Sequence, residues 1–154
     1  NQEAADFLSS YFLKFPEIKE YMNSTINFCR KSGYVNNIFG RRCHYPGIND
    51  KNFNVRNFQE RAAINAPIQG SAAEIMRLAM IRLDKKIKDI SNIKPKMLLQ
   101  IHDELIFEIS KNEVKKFIPI IKSEMTSVAS SDLHSFSIPL TVDINYGDNW
   151  GILH

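Results

Sequence analysis

The run Gln100-Ile101-His102-Asp103-Glu104-Leu105-Ile106-Phe107-Glu108-Ile109 sets three polar, ionisable side chains where one apolar strand should turn into the next. A two-residue hairpin loop favours Asn-Gly or a similar pair, because its turn needs positive φ and a residue with a Cβ adopts that reluctantly. His102-Asp103 has no glycine nearby. A local rule broken in this way usually marks function. Carboxylate oxygens are the donors a hard divalent cation takes, so Asp103 is expected to hold a metal ion.

A second set lies earlier in the chain. Arg61, Asn65 and Gln69 are spaced by four and fall on roughly one face of a helix. Taken alone, three such residues are more often a solvated face than a binding site. Their neighbours Ala62, Ala63 and Ala66 are small enough either for close approach to a ligand or for tight helix packing.

The charge that surrounds these two sets is uneven. The net charge is only +3. From Arg30 to Arg61 the basic residues Arg30, Lys31, Arg41, Arg42, Lys51, Arg56 and Arg61 face only Asp50 and Glu60. After Lys96 the balance reverses: Asp103, Glu104, Glu108, Glu113, Glu124, Asp132, Asp143 and Asp148 outnumber Lys111, Lys115, Lys116 and Lys122. A basic front and an acidic back fit a protein that grips a polyanion with one part and places metal-binding carboxylates with the other. With 154 residues the chain is the size of one domain. No apolar run approaches the roughly 20 residues a bilayer span needs, so no membrane partner is expected. Cys29 and Cys43 lack metal-ligand spacing and are expected to be reduced thiols. The start at Asn1, without Met or leader, is expected of a piece of something longer.

The elements that must position the two sets can be read from periodicity. Phe7, Leu8, Tyr11, Phe12 and Phe15 mark a helix that stops at Pro16, and Ile18, Met22, Ile26 and Cys29 a second that ends at Gly33. Tyr34 to Val55 reads as loop with short strands. A helix begins near Asn57, and Pro67 is expected to kink or break it, so that two helices meet at Pro67 to Gly70. Ser71 with Glu74 then forms a capping box that restarts a helix bearing Ala72, Ile75, Met76, Ala79, Met80, Leu83 and Ile87. Met97 to Ile101 and Leu105 to Ile109 are the strands beside the polar turn. Ser110 and Glu113 cap a further helix carrying Phe117 and Ile121, which Pro119 should bend. Leu140, Val142, Ile144 and Tyr146 alternate with polar residues as a final strand with one face in the core.

Two stretches carry a resemblance. Glu60-Arg61-Ala62-Ala63-Ile64-Asn65-Ala66-Pro67-Ile68-Gln69-Gly70-Ser71-Ala72-Ala73-Glu74-Ile75, followed later by Gln100-Ile101-His102-Asp103-Glu104-Leu105, closely resembles the family A DNA polymerases, the bacterial DNA polymerase I type. Gly33-Tyr34-Val35 leading to Gly40-Arg41-Arg42 and Pro46, and the closing Asn149-Trp150, are similar to that family too. The resemblance runs over nearly the whole chain in the family's order. Glu74, where an aspartate is common, departs from the pattern outside the site.

The resemblance implies that His102-Asp103-Glu104 is the family's motif C, in the palm. Asp103 would be one of two carboxylates on a magnesium pair, Glu104 would support the site or bind metal less directly, and His102 would face the primer end. Two such ions, about 3.5 to 4 Å apart, clamp the attacking primer hydroxyl and the departing pyrophosphate. Arg61, Asn65 and Gln69 would touch the duplex near its growing end, where the minor groove offers acceptors in similar positions on every correct pair. Arg41 and Arg42 would meet phosphates, while Lys51 and Arg56 read as ordinary solvated charges. The implied partners are primer-template DNA, deoxynucleoside triphosphates and the rest of a parent chain.

The fold so implied is α+β: part of a polymerase palm, with an antiparallel sheet made of the motif C hairpin and the C-terminal strand packed on helices, and a helical remnant of the fingers at the N-terminus. About 1–56 would be fingers-side helices and basic loop, and about 57–154 palm. The second metal-binding aspartate and the nucleotide-binding fingers helix are not found in the sequence, so this stretch alone is expected to be inactive. Two other readings remain open: a non-catalytic DNA-binding clamp of the same family, and an unrelated metal-dependent hydrolase built on His-Asp-Glu. The richness in Asn, Lys and Ile points to an AT-rich genome, in a bacterial cytoplasm or a DNA-containing organelle.

Overall fold

The structure, a computed structural model, describes residues 2–90, 94–131 and 134–153; Asp132, counted above among the acidic residues, lies outside them. The chain divides into two compact units, Asn1–Ser71 and Ala72–His154. Their boundary falls inside a long helix.

In the first unit, α1 (Gln2–Lys14) and α2 (Pro16–Ser32) meet at Pro16, which sits at the start of α2 where a missing N–H costs nothing. Gly33 ends α2 with φ +78°, and its N–H donates to the Cys29 carbonyl at 2.7 Å. Only glycine takes that left-handed turn without penalty. The strands β1 (Tyr34–Asn36) and β2 (Arg42–His44) then pair antiparallel, with Val35 opposite Cys43. Cys29, Val35, Ile48 and Ala63 form the core here, with Cys43, Tyr45 and Ala66 packed on it. Ala63 and Ala66 therefore owe their size to helix packing. α1 buries none of its residues in this structure, and Phe7 remains 70 % exposed.

The helix α3 runs unbroken from Phe53 to Asp89, and this corrects the expected break at Pro67. Pro67 removes one helical donor, the one that would serve the Ala63 carbonyl. Three other carbonyls of this stretch gain donors from outside the helix. Tyr21 and Tyr45 hydroxyls donate to the carbonyls of Ile64 (2.9 Å) and Ala62 (3.1 Å), and the Asn37 amide donates to that of Gly70 (3.1 Å). Burial pushes the Tyr45 phenol pKa up, with the two nearby cysteines adding to it, so that hydroxyl stays a donor. Ser71 Oγ donates back to the Pro67 carbonyl. Ser71 and Glu74 thus lie inside a helix and do not form the expected capping box. Glu74 instead accepts from Arg77, whose guanidinium pKa rises with that hydrogen bond and charge.

In the second unit, β3 (Lys96–Ile101) and β4 (Glu104–Glu108) form the expected hairpin, each within one residue of the sequence reading. A bulge at Leu98 shifts the register between Met97 and Leu99. α4 (Val114–Thr126) buries Phe117 and Ile121 on Leu83 of α3, with Met97, Leu105 and Phe107 of the hairpin packed around them. The Phe107 and Phe117 rings meet edge to face, 5.5 Å apart at 73°.

Two expectations for this unit are corrected. No side chain caps α4; the backbone N–H of Glu113 donates to the Ser110 carbonyl at 2.9 Å, so a plain turn leads into the helix. Pro119 lies inside α4, as expected, and is exposed. The C-terminal strand is absent: residues 140–147 pair with no strand among the described residues. Their alternation survives as exposure, with Leu140, Val142 and Ile144 half-buried between exposed neighbours, and Ile144 packs against the core. Periodicity reports a buried face, whereas a strand also needs a second backbone to bond. Tyr146 departs even from the alternation, at 65 % exposed. The architecture is therefore mixed helix with small antiparallel sheets. Among the described residues no helix is long and apolar enough to cross a membrane.

Candidate functional site

The β3–β4 hairpin closes through Ile101 opposite Glu104, so His102 and Asp103 alone form the loop. His102 has φ +50°, the single non-glycine residue at positive φ among the described residues. A left-handed residue with a Cβ costs on the order of 1–3 kcal/mol and persists only where its surroundings hold it. Part of that hold is visible: the Gln100 side-chain amide donates to the His102 carbonyl at 2.8 Å. At the hairpin's open end Lys96 and Glu108 pair at 2.9 Å, but both are well exposed and such a pair contributes at most about 1 kcal/mol. The core beneath Met97, Leu105 and Phe107 carries the rest of the stability.

His102, Asp103 and Glu104 are all exposed at this tip. The structure places all three residues singled out there at the surface of the hairpin tip. A cleft of about 1180 Å³ within the same unit reaches Asp103 and Glu104, but its walls are largely core side chains such as Phe107, Phe117 and Ile121. Glu108 and Asp148, which also line it, are paired with Lys96 and Lys111, and Asp143 lines it too. The adjacent carboxylates of Asp103 and Glu104 are the right donor type for magnesium. Their number falls short, since no three of His, Cys, Asp and Glu gather around one point among the described residues.

In the first unit, Arg61, Asn65 and Gln69 stand exposed on one face of α3, while Ala63 on another face is fully buried. None of the three side chains makes a hydrogen bond or ion pair among the described residues. Their donors are free for a ligand. The other basic residues of this region differ. Arg30 is tied to Glu60. Arg56, expected to be a solvated charge, donates to the Asp50 carbonyl at 2.9 Å and lies over the Phe53 ring, so it fastens the turn before α3.

Arg41, at the end of the loop that joins β1 to β2, and Arg42, the first residue of β2, are exposed. The Arg42 guanidinium sits 4.6 Å over the Tyr34 ring, which orients it without removing its charge. The loop itself is built by a residue that sequence reasoning passed over. Asn37 is only 5 % exposed, and its Oδ1 accepts from the N–H groups of Phe39 (3.0 Å) and Arg41 (2.9 Å). Its Nδ2 is the donor to the Gly70 carbonyl described above. An asparagine shortly before Gly40 does signal a turn. Nothing local signals that its other end reaches α3, 33 residues on.

Comparison with known proteins gives a consistent answer. A family model described as DNA polymerase family A matches residues 1–152. DNA polymerase I of Rhizobium leguminosarum is 46 % identical over 153 residues, which is 99 % of this chain and 15 % of that protein. DNA polymerase I of Geobacillus stearothermophilus is 40 % identical over 149 residues, covering 97 % of this chain and 16 % of that protein. The chain thus spans about a sixth of the length of such relatives. A solved structure of the POL domain of Pol1 from M. smegmatis, in complex with DNA primer-template and dNTP, matches with a TM-score of 0.90 and 37 % identity, over 99 % of this chain and 26 % of that one.

Proposed function

The chain belongs to DNA polymerase family A, and from that premise we propose that it is part of a longer DNA-directed DNA polymerase that extends a primer 3′ hydroxyl by template-directed addition of deoxynucleotides. The observation that carries this reading is the hairpin tip: a left-handed His102 next to two exposed carboxylates, in a chain that matches the family from end to end. Strain at an exposed turn is retained where it presents a group that matters.

In this reading Asp103, with Glu104 beside it, would hold magnesium, and the missing ligands come from elsewhere in the full-length protein. Bound magnesium supplies positive charge that favours ionisation of the primer hydroxyl and stabilises the departing pyrophosphate. The chain's own part is placement. The hairpin restricts where the Asp103 carboxylate can go, and His102 is presented toward the primer end. Arg61, Asn65 and Gln69 offer donors to minor-groove acceptors that every correct base pair shares, a contact that holds any sequence. Arg41 and Arg42 meet backbone phosphates, which adds affinity without sequence preference. We assign about 1–56 to the fingers side and about 57–154 to the palm. The 154 residues by themselves should show negligible extension, because two carboxylates cannot complete the site.

The test is primer extension with magnesium by the full-length protein, wild type beside Asp103→Asn, with primer-template affinity measured for both. Extension should fall by roughly 10³-fold or more, the scale of losing several kcal/mol of charge stabilisation, with affinity little changed. Equal extension by both proteins would remove Asp103 from the site. A wild type that binds but never extends would make the protein a clamp.

A further inference from the structure

The basic loop is fixed to α3 at two points, both buried. Asn37, 5 % exposed, donates to the Gly70 carbonyl, and the backbone N–H of Ile38 donates to Ser71 Oγ at 3.1 Å, with Ser71 itself 7 % exposed. Within the loop, Asn37 binds the N–H of Arg41 through its side chain and the carbonyl of Arg41 through its own N–H at 3.0 Å. One residue thus holds the backbone of Arg41 from both sides and ties it to the residue following Gln69. Gly40, at φ +81°, completes the turn between them. Buried amides with every group bonded are costly to replace, because a truncated partner leaves the others unsatisfied.

We propose that Asn37 is the positioning residue for phosphate contact: it sets Arg41 and Arg42 at a fixed place on α3, so that the loop and the Arg61–Gln69 face engage the same DNA as one surface. This inference rests on the reading of Arg41 and Arg42 as phosphate ligands. Asn37 touches no DNA itself. Its carbonyl, amide and side chain are consumed by Gly40, Arg41, Phe39 and Gly70.

The experiment is a salt series of primer-template binding by the full-length protein, read as the slope of log affinity against log salt. Each phosphate contact contributes about 0.9 to that slope on duplex DNA. Arg41→Ala/Arg42→Ala should lower its magnitude by roughly 2, and Asn37→Ala by roughly 1 or more. Adding Asn37→Ala to the double arginine variant should lower it no further. A residue that only stabilises the fold would reduce the active fraction and leave the slope unchanged. An unchanged slope for Asn37→Ala beside a lowered slope for the arginine variant overturns the inference, as does an extra loss in the triple variant. An unchanged slope for the arginine variant overturns the phosphate reading itself, which is a separate failure. If Asn37→Ala does not fold, Asn37→Ser removes the donor to the Gly70 carbonyl while keeping a side-chain acceptor within the loop, and it is judged by the same criteria.

Discussion

The turn at His102-Asp103 and the loop from Asn37 to Arg41 both present charged side chains between two paired strands, and they are held by opposite means. The first is minimal: two residues, one in a left-handed conformation, one side-chain bond to a carbonyl, and a packed core under the strands. The second is longer and carries its left-handed residue as Gly40, where it costs little, and it is fastened to a helix by buried polar groups. Under the proposed function, a short stiff turn on a hydrophobic base would keep one carboxylate in place, and a loop tied to α3 would place two arginines on the surface they share.

The largest effect should come from removing the base of the hairpin. Phe117 is 2 % exposed and meets the Phe107 ring, so Phe117→Ala should cost about 3–5 kcal/mol. Amide hydrogen exchange in the full-length protein should show the loss at Leu105 and Phe107 and spare Val35 and Cys43 in the other unit. Undiminished protection of the hairpin would mean that its own cross-strand bonds carry it, and the contrast with the tied loop would collapse.

Next in size is a pair of substitutions with opposite signs. At Gly40 a Cβ meets nothing within 4 Å, so Gly40→Ala tests backbone conformation alone and should destabilise the loop by about 1–2 kcal/mol. His102→Gly should stabilise the hairpin locally by up to about 1 kcal/mol, since the strain goes while glycine's extra chain entropy takes part of the gain. It should still impair extension, because the imidazole is lost. Local exchange rates and extension assays separate the two. If His102→Gly loosened the hairpin, the turn would not be strained, and the argument from φ +50° to function would lose its basis.

What the sequence made legible follows the same division. The hairpin could be read because its strands, turn and missing glycine are neighbours in the chain, and α2 because Pro16 and Gly33 mark its ends by their own backbone limits. Pro67 does not end the helix, since one lost donor is a local cost, while the stretch around it is also bonded by Tyr21, Tyr45 and Asn37, 46, 22 and 30 positions from Pro67 by residue number. Ser71 and Glu74 have the capping-box spacing, but with the helix intact there is no orphan N–H for them to serve. Asn37 is inconspicuous in the sequence for the reason that makes it useful: four of its five hydrogen bonds are local and unremarkable, and the one to Gly70 is not. The alternation near Leu140 did report burial, and only the pairing was overread.

The smallest effect concerns the frame beneath the tied loop, and it is read with a thiol reagent. Cys29 is fully buried, and burial pushes its thiol pKa up, so the reactive thiolate is both scarce and enclosed. Cys43, opposite Val35 on β2, is only half-buried. Peptide mapping of the full-length protein should therefore find Cys43 modified first, and Cys29 only under conditions that open its unit. Asn37→Ala should speed the reaction at Cys43 while leaving Cys29 protected, because the tie it removes holds the loop that joins β1 to β2, whereas Cys29 is covered by the core of Val35, Ile48 and Ala63. Equal acceleration at both cysteines would show that Asn37 supports the whole unit and not the loop, and its role would be folding rather than positioning.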